Sequence, residues 1–255
     1  MSLTGKTALV TGAGTGIGKG IALEMARRGA KVAVHYNQSE AGALATKQAI
    51  EAAGGEAFTV QADVAVKADI DRMTEEVAAK YGGVDILVNN AALQLNKDLM
   101  QHDLSTYDRT MNINLKGYWQ CMQAVVPYMK ANGFGRIIHI ASVHAKRPTD
   151  FDPVYAMTKG GIRMLAREAA IELAPYGITV NAIEPGAVDV GKQKKPPDRT
   201  PEEQEQHLKR LRLKFPGGRV GLPHDVALLA CFIASSENEF LNGAAIRLDG
   251  GSMLL

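Results

Sequence analysis

Tyr155 and Lys159 are the two residues whose types and spacing most directly indicate chemistry. They stand four residues apart in the segment Tyr155–Leu173, which has a helical period, so their side chains are expected on one helix face. A tyrosine phenol has a pKa of about 10 and is a poor base at neutral pH, but a neighbouring ammonium stabilises the phenolate and lowers that pKa. The pair is therefore a candidate for proton exchange with a substrate oxygen.

A glycine-rich turn near the start of the chain is a candidate phosphate-binding site. The run Thr11–Gly18 lies between a β-branched segment and a segment of helical period. Glycine lets the backbone turn tightly, and the free N–H groups at a helix N-terminus attract negative charge. The spacing Gly12-x3-Gly16-x-Gly18 differs from G-x-G-x-x-G, and a methyltransferase or a nonspecific tight turn would also use such glycines. We interpret the turn as a dinucleotide site that includes Gly12, Thr15, Gly16, Ile17 and Gly18.

The segments that must position these residues alternate between short β-branched runs and longer runs of helical period. That alternation is typical of a parallel sheet covered by helices on both faces. Strands are predicted at Thr7–Thr11, Lys31–Tyr36, Ala57–Gln61, Ile86–Asn89, Arg136–Ile140, Thr179–Ile183 and Ala245–Leu248. Helices are predicted at Gly16–Arg28, Glu40–Ala53, Lys67–Tyr81, Leu104–Lys130, Tyr155–Leu173 and Pro223–Ser235. The sequence thus predicts an α/β fold, a Rossmann-like doubly wound parallel sheet, in a single domain over residues 1–255.

One segment, about residues 187–216, interrupts the alternation. Within it, Thr200, Pro201 and Glu203 predict the N-cap, the first-turn proline and the capping-box acid of a short amphipathic helix. We expect a solvated helix on a substrate flap, and a charged contact with the substrate is the alternative.

Composition limits the kinds of partner. With 29 basic and 27 acidic residues the formal net charge is +2, which does not indicate nucleic acid or an anionic membrane as a partner. Cys121 and Cys231 have no CxxC spacing and the histidines have no second ligand at zinc spacing, so we expect neither a disulfide nor a catalytic metal. The N-terminus lacks the unbroken apolar run of a signal peptide, and no apolar stretch approaches about 18 residues. We expect a cytoplasmic protein.

Further motifs, in chain order, resemble those of the short-chain dehydrogenase/reductase family. Asn89-Asn90-Ala91-Ala92 resembles the family's NNAG, with Ala92 in place of glycine, and Asn114 in Asn112–Gly117 matches a helical asparagine of the family. Ser142, followed by Tyr155-x3-Lys159, and then Pro185-Gly186 match the remaining motifs. The resemblance covers nearly the whole chain. It implies an NAD(P)-dependent oxidoreductase that transfers a hydride between a nicotinamide cofactor and an alcohol or ketone.

The resemblance also implies roles for individual residues. Lys159 would hold the nicotinamide ribose as well as assist Tyr155, Ser142 would position the substrate oxygen, and Asn114 would anchor a water molecule in a proton relay. Asp63 would contact the adenine ring, although a turn-capping aspartate is the simpler interpretation. The other cofactor-binding candidates are Tyr36, Asn37, Gln38, Val64, Asn90, Ala91, Pro185, Gly186 and Val188.

The choice between NAD and NADP depends on the end of the second strand. An acidic residue about 20 positions after the glycine turn would bind the ribose 2′-hydroxyl of NAD. The chain instead reads His35-Tyr36-Asn37-Gln38-Ser39, so no acid repels a 2′-phosphate and the polar side chains can donate hydrogen bonds. No arginine is there to require NADP, and Glu40 is the alternative acid if the loop curls back. We expect NADP and keep NAD as the alternative.

Two polar loops indicate the substrate. The run Ser142–Pro148 resembles that of glucose 1-dehydrogenases within the family, in which the residues corresponding to Gln94 and His144 lie near the sugar. Polar walls favour small hydroxylated ligands, so we expect a sugar, polyol or sugar acid. Lys146 and Arg147 indicate either a solvated loop or an anionic substrate, such as a sugar acid or a carrier-bound 3-oxoacyl group. With the last of these the chain would be a 3-oxoacyl-carrier-protein reductase, which is the alternative function. A non-catalytic NADP(H) sensor is the alternative from another class, but it would not need Ser142, Tyr155 and Lys159.

The resemblance implies a homotetramer built through two long helices and the C-terminal strand. The segment Leu104–Lys130 carries more apolar residues than one sheet-facing stripe needs, and the chain ends with Met253-Leu254-Leu255. A buried core would explain the same residues, so association is an expectation.

Overall fold

A parallel sheet forms the centre of the molecule in the computed structural model, which describes residues 1–148, 152–191 and 200–254 except for the side chain of Pro201. Within those residues seven strands pair in the order β3-β2-β1-β4-β5-β6-β7. The strands are β1 (Thr7–Val10), β2 (Lys31–Tyr36), β3 (Glu56–Gln61), β4 (Ile86–Asn89), β5 (Gly135–Ile140), β6 (Ile178–Pro185) and β7 (Ala245–Leu248). All of these pairings are parallel.

Helices cover both faces of the sheet. They are α1 (Gly16–Arg27), α2 (Glu40–Ala52), α3 (Lys67–Tyr81), α4 (Leu104–Met111), α5 (Gly117–Asn132), α6 (Pro153–Leu173), α7 (Pro201–Arg212) and α8 (Pro223–Ala234). Two buried apolar clusters result, one between the sheet and α3, α5 and α6, the other between the sheet and α1, α2 and α8. The predicted Rossmann-like, doubly wound α/β fold is confirmed. Among the described residues, no helix is long and apolar enough to cross a membrane.

The strand order reverses beside β1, which lies between β2 and β4. Val10 is in register with Val34 of β2 and with Val88 of β4. The connections after β1 and β4 therefore leave in opposite directions and open a crevice at the carboxyl ends of these strands. Such a crevice is where open α/β sheets bind their ligands.

The helix predicted at Leu104–Lys130 differs in detail from the structure. A π-helical turn at Asn112–Lys116 separates α4 from α5. The Asn114 side chain in this turn accepts a hydrogen bond from the Leu93 N–H at 2.7 Å and donates one to the Leu93 carbonyl at 2.8 Å. This contact comes from a loop 21 residues earlier in the chain, and widened turns of this kind occur frequently at functional sites.

The flap helix was predicted correctly from its capping residues. Thr200 accepts a hydrogen bond from the Glu203 N–H, and the Glu203 carboxylate accepts one from the Thr200 N–H, as in a capping box. Residues 192–199 of the predicted flap lie outside the described residues. Helix α6 begins at Pro153, two residues earlier than expected, because Asp152 caps it.

Candidate active site

Tyr155 and Lys159 lie together at the carboxyl edge of the sheet. Both are in the first two turns of α6, and the Lys159 Nζ is 5.3 Å from the centre of the Tyr155 ring. Lys159 is buried, and its ammonium donates a hydrogen bond to the Ile140 carbonyl at 2.7 Å, at the end of β5. The i, i+4 spacing thus puts both groups on one side of α6, next to the end of β5.

The pKa values of the two groups differ from what the sequence indicates. Burial raises the pKa of Tyr155 to about 12, while a hydrogen bond to Ser142 acts in the opposite direction. Burial lowers the pKa of Lys159 to about 7. The expected lowering of the Tyr155 pKa is absent because the ammonium faces the Ile140 carbonyl, and because burial disfavours the phenolate. Tyr155 is therefore protonated at neutral pH, ready to donate to a substrate oxygen.

Ser142 and His144 lie beside this pair in the turn that follows β5. Ser142 is buried, and its Oγ accepts a hydrogen bond from the His144 N–H at 3.2 Å. The His144 ring packs edge-on against the Tyr155 ring with 6.2 Å between their centres. Burial lowers the pKa of His144, so this imidazole is neutral near pH 7. Three of the expected substrate-contacting residues are thus brought together.

Asn114 connects the loop after β4 to the catalytic helix. Besides its two hydrogen bonds to Leu93, its Nδ2 donates to Thr158 Oγ1 at 3.3 Å. The Thr158 hydroxyl in turn donates to the Tyr155 carbonyl at 2.7 Å. In this structure the Asn114 side chain holds protein groups in place, and the water-anchoring role stays a prediction.

The glycine turn after β1 has the backbone that the motif predicts. Gly12 and Gly16 have positive φ angles of 65° and 55°, a backbone region that residues other than glycine rarely occupy. A Cβ on Gly18 would be 2.3 Å from the Gly12 carbonyl, so α1 could not begin this close to the turn with any larger residue. Asn90, after β4, donates from its Nδ2 to the Gly12 carbonyl and ties the two sides of the crevice together.

His35 supports the same turn, a role that its sequence context did not reveal. The Gly12 N–H donates to His35 Nδ1 at 3.0 Å, and His35 Nε2 lies 3.0 Å from the Ala62 carbonyl. Burial lowers the pKa of His35 to about 4, so the ring is neutral and its Nδ1 can accept. The only available signal was a polar residue inside an otherwise buried strand.

A cavity of about 450 Å³ follows the crevice beside the glycine turn. Predicted cofactor residues in its lining are Gly12, Thr15, Gly16, Ile17, Asn37, Gln38, Asp63, Val64, Asn90 and Ala91. Residues of the lining that the sequence did not indicate are His35, Arg109, Ile113 and Val190. Arg109 and Ile113 stand four residues apart, just before Asn114, and this helical spacing was the signal that could have identified them.

These groups fit a dinucleotide. A Cβ on Gly16 would be 3.2 Å from Val190 Cγ1, so the turn forms a narrow cradle that only glycine leaves open. The cradle lies at the N-terminus of α1, where backbone N–H groups favour phosphate. Asn37, Gln38 and Ser39 are exposed, line the same cavity and can hydrogen-bond to a ribose or its phosphate. Asp63 caps its own turn, since its Oδ1 accepts from the Ala65 N–H at 2.9 Å, and also lines the cavity.

A second cavity, of about 480 Å³, adjoins the Ser142 turn. Its lining comprises Val143, His144, Gly186, Ala187, Leu213, Lys214, Phe215, Ser252 and Met253. His144, which lines this cavity, also packs on the Tyr155 ring. The end of β6, the flap and the C-terminal turn therefore border a cavity that His144 connects to the ring of Tyr155.

Some predicted site residues lie elsewhere. Gln94 is exposed in the loop after β4 and lines neither cavity; its Nε2 donates to Asn96 Oδ1. Tyr36 is absent from the lining of the first cavity, and its hydroxyl donates to the Glu40 carboxylate. Gly186 lines the second cavity instead of the first, and Val188 pairs with Gly221. Among the described residues, no group of three or more histidines, cysteines or acids could hold a metal ion, and the expectation of a metal-free site stays a prediction.

Comparison with known proteins places the chain among oxidoreductases. A family model described as enoyl-(acyl carrier protein) reductase matches residues 12–253. The 3-oxoacyl-[acyl-carrier-protein] reductase of Staphylococcus epidermidis is 37% identical over 96% of this chain and 98% of that protein. Glucose 1-dehydrogenase 2 of Bacillus subtilis is 33% identical over 99% and 96% of the two chains.

Two solved structures have the same fold over nearly their whole length. A putative short-chain alcohol dehydrogenase from Sinorhizobium meliloti superposes with a TM-score of 0.89, at 32% identity over 99% of this chain and 98% of that one. A gluconate 5-dehydrogenase from Burkholderia cenocepacia, crystallised with NADP and tartrate, superposes with a TM-score of 0.86, at 32% identity over 100% and 97%.

Proposed function

We propose, from the premise that this chain belongs to the short-chain dehydrogenase/reductase family, that it oxidises or reduces a sugar, a polyol or a sugar acid. The chain is an NAD(P)-dependent oxidoreductase. The observation that carries the proposal is the second cavity, whose lining includes the polar groups of His144, Lys214 and Ser252 and whose His144 ring packs on Tyr155. Such groups favour ligands with hydroxyls because a ligand that leaves them unpaired is penalised.

The residues of the site can handle the proton of this reaction. When bound, the nicotinamide cofactor supplies or accepts the hydride. Tyr155, whose pKa burial raises to about 12, holds a proton that it can donate to the substrate oxygen. Ser142 lies within hydrogen-bonding reach of the Tyr155 hydroxyl and can orient the same oxygen. Lys159 supplies a positive charge behind the phenol when it is protonated.

The relatives support both this substrate class and one alternative. A gluconate 5-dehydrogenase and a glucose 1-dehydrogenase are among the similar proteins, and the first was crystallised with tartrate, a hydroxylated acid. The 37% identity to a 3-oxoacyl-[acyl-carrier-protein] reductase favours the alternative, a carrier-bound 3-oxoacyl substrate. Lys214 in the cavity lining would suit the carboxylate of a sugar acid.

A substrate panel tests the proposal. Sugars, polyols, sugar acids and a 3-oxoacyl thioester are assayed with both cofactors, and kcat/KM is compared across the panel. We expect at least one hydroxylated substrate to exceed the thioester by about tenfold or more, since an unpaired buried polar group costs at least about 1 kcal/mol. A thioester that exceeds every sugar, polyol and sugar acid would replace our proposal with the alternative.

We propose NADP as the preferred cofactor. Within the described lining of the first cavity, Asp63 is the one acidic residue, and it caps its own turn, while Asn37, Gln38 and Ser39 are uncharged. An Asn37→Asp substitution would place a negative charge where the 2′-phosphate would bind. We expect it to raise the Kd for NADPH by about tenfold and to change the Kd for NADH little. Fluorescence titration with both cofactors measures this.

A neutral variant controls for changes in shape. Asn37→Ser removes the amide without adding charge, and should keep the ratio of the two Kd values close to that of the unsubstituted protein. If Asn37→Asp lost affinity for NADPH and NADH equally, or if the unsubstituted protein bound NADH more tightly than NADPH, the proposed choice of NADP would be contradicted.

We also propose a homotetramer. Trp119 of α5 and Met164 of α6 are about half exposed, and a cavity of about 350 Å³ beside Trp119 is lined mainly by apolar residues. Phe232 of α8 and Phe240, which follows α8, are also exposed, so neither ring is covered by other parts of the same chain. These surfaces support association through α5 with α6 and through α8 with β7, which sedimentation at micromolar concentration tests. The cytoplasmic location expected from the sequence stays a prediction.

A further inference from the structure

A buried carboxylate, Asp152, joins the loop after β4 to the start of the catalytic helix. Its side chain has no exposed surface. One carboxylate oxygen accepts hydrogen bonds from the Leu95 and Asn96 N–H groups, both at 3.1 Å. The other accepts from the Tyr155 N–H at 2.9 Å. None of the proton chemistry described above uses this carboxylate, yet it is bound to the backbone of Tyr155 itself.

His102 completes the surroundings of Asp152. Its Nε2 lies 3.2 Å from Asp152 Oδ1, and its side chain is only 5% exposed. Its Nδ1 is buried and has no hydrogen-bond partner among the described residues. A buried nitrogen without a partner costs free energy, so stability alone does not explain an imidazole here. The contact that the ring does make is the one to Asp152.

The loop that Asp152 holds has an unusual backbone. Asn96 has a φ of +54°, the one positive value outside glycine among the described residues. The consecutive N–H groups of Leu95 and Asn96 point at one oxygen, in the manner of the concave backbone sites that bind anions. Strained conformations of this kind persist only where neighbouring groups fix them. In this loop the fixing group is a side chain that caps the catalytic helix.

The same loop is fixed a second time, two residues earlier. Asn114 forms hydrogen bonds to both the N–H and the carbonyl of Leu93. Gln94 therefore stands between two anchors, Asn114 on one side and Asp152 on the other. Both side chains also form hydrogen bonds to α6: Asn114 donates to the Thr158 hydroxyl, and Asp152 accepts from the Tyr155 N–H. The position of the loop relative to Tyr155 thus depends on two buried side chains.

We propose that Asp152, assisted by His102, is a positioning residue that holds the loop of residues 93–98 against the start of α6 and thereby sets the affinity for substrate. Asp152 ties the loop to the backbone of Tyr155, and Leu93 at the start of the loop lines the first cavity. Releasing the loop weakens substrate binding while the proton chemistry of Tyr155 remains. The substrate readout rests on the proposed function, whereas the loop contact can be measured without any substrate.

The variant that separates the two tasks of Asp152 is Asp152→Ser. Serine is a good N-cap, so it can still accept from the Tyr155 N–H, but its single short oxygen cannot also reach Leu95 and Asn96. We expect KM to rise about tenfold, with kcat changed less than about threefold and the Kd for NADPH within about twofold. Amide hydrogen exchange at Leu95 and Asn96 is expected to accelerate about tenfold or more. The substrate is the panel member with the highest kcat/KM.

A second variant and a control make the test independent of folding defects. Asp152→Asn keeps the volume of the side chain but replaces one of the two accepting oxygens by an amide that cannot accept from the backbone N–H groups. The same changes in KM and in amide exchange are therefore expected, and this variant replaces Asp152→Ser if the serine variant does not fold. Asp103→Ser is the matched control, because Asp103 also caps a helix, α4, through the Thr106 N–H at 2.8 Å, but is exposed and holds no loop. In this control KM and the exchange at Leu95 and Asn96 should be unchanged.

His102 offers a graded test. His102→Gln keeps a donor near Asp152 and should preserve both KM and the exchange rates, whereas His102→Leu removes the donor and should raise both. The proposal is overturned if Asp152→Ser behaves like Asp103→Ser, or if kcat falls while KM and the exchange at Leu95 and Asn96 stay constant. If no panel member reacts with the unsubstituted protein, the proposed function fails, while the exchange measurement still decides whether Asp152 holds the loop.

Discussion

Replacing Tyr155 by phenylalanine is expected to lower kcat by about a thousandfold, within the range that loss of a general acid or base produces. The substitution removes one oxygen and its proton. That hydroxyl is the group in the structure that combines a raised pKa, a neighbouring buried lysine and a hydrogen bond to Ser142. The ring remains to pack against His144, so the shape of the second cavity should be preserved.

The measurement has two parts, because a misfolded variant would also lose activity. The Kd for NADPH, from fluorescence titration, should stay within about twofold, since the first cavity is lined by other residues. Tyr176→Phe is the control, because Tyr176 precedes β6 at the amino edge of the sheet, opposite the site. Full turnover by Tyr155→Phe with normal cofactor binding would remove the phenol from the mechanism.

The fold was predictable because the patterns that determine it are local. Alternating β-branched and helical runs located all seven strands. The five inner strands are buried along nearly their whole length and are therefore mostly apolar. The flap helix was predictable for a similar reason. Its cap uses Thr200 and Glu203, which are three residues apart, so no knowledge of the tertiary structure was needed.

The features that sequence patterns did not reveal depend on contacts between distant residues. The π-helical turn around Asn114 exists because that side chain binds Leu93, and a loop's position cannot be read from helix periodicity. His35 was counted as part of a strand, because only the structure shows the Gly12 N–H pointing at its ring. Asp152 was not among the residues that the sequence patterns indicated, and its role emerged only from the hydrogen bonds that the Leu95 and Asn96 N–H groups donate to its carboxylate.

In the candidate site, too, local geometry was predictable and the effects of the tertiary structure were not. The spacing of Tyr155 and Lys159 correctly placed both groups on one side of a helix, because i, i+4 geometry is local. It did not determine their pKa values, which depend on how deeply the whole fold buries them. Burial moves the pKa of the phenol up and that of the ammonium down. The spacing of the two residues indicates only the attraction between a phenolate and an ammonium, and burial cannot be inferred from it.

Replacing Lys159 by methionine is expected to damage catalysis and stabilise the fold at the same time. The substitution removes the positive charge behind the phenol and a donor at the site, so kcat/KM should fall by about a hundredfold or more. The methionine fills a similar buried volume. The Ile140 carbonyl that Lys159 now binds keeps its hydrogen bond from the Tyr118 hydroxyl, at 3.3 Å, so no acceptor is left unpaired.

The stability change has a defined pH dependence. Burial lowers the pKa of Lys159 from 10.5 to about 7, so between these values the unfolded chain binds more protons than the folded one. The unsubstituted protein therefore gains stability as the pH rises from about 7 towards 10.5, and bears the full cost of the buried ammonium at lower pH. Lys159→Met lacks this cost. Its advantage in free energy of unfolding should be greatest at or below pH 7 and should shrink as the pH rises.

The size of that advantage can be bounded. The shift of the Lys159 pKa corresponds to at most roughly 5 kcal/mol, and loss of the hydrogen bond to Ile140 reduces it, so we expect a net gain of about 2 kcal/mol at pH 7. Urea unfolding at pH 7 and pH 9.5 measures the difference, with the exposed Lys130→Met as the control for a lost charge. A variant that is less stable than the unsubstituted protein at pH 7, or whose advantage grows with pH, would show that Lys159 stabilises the fold. The opposite result would show that the fold maintains a destabilising buried ammonium at the position where the reaction needs its charge.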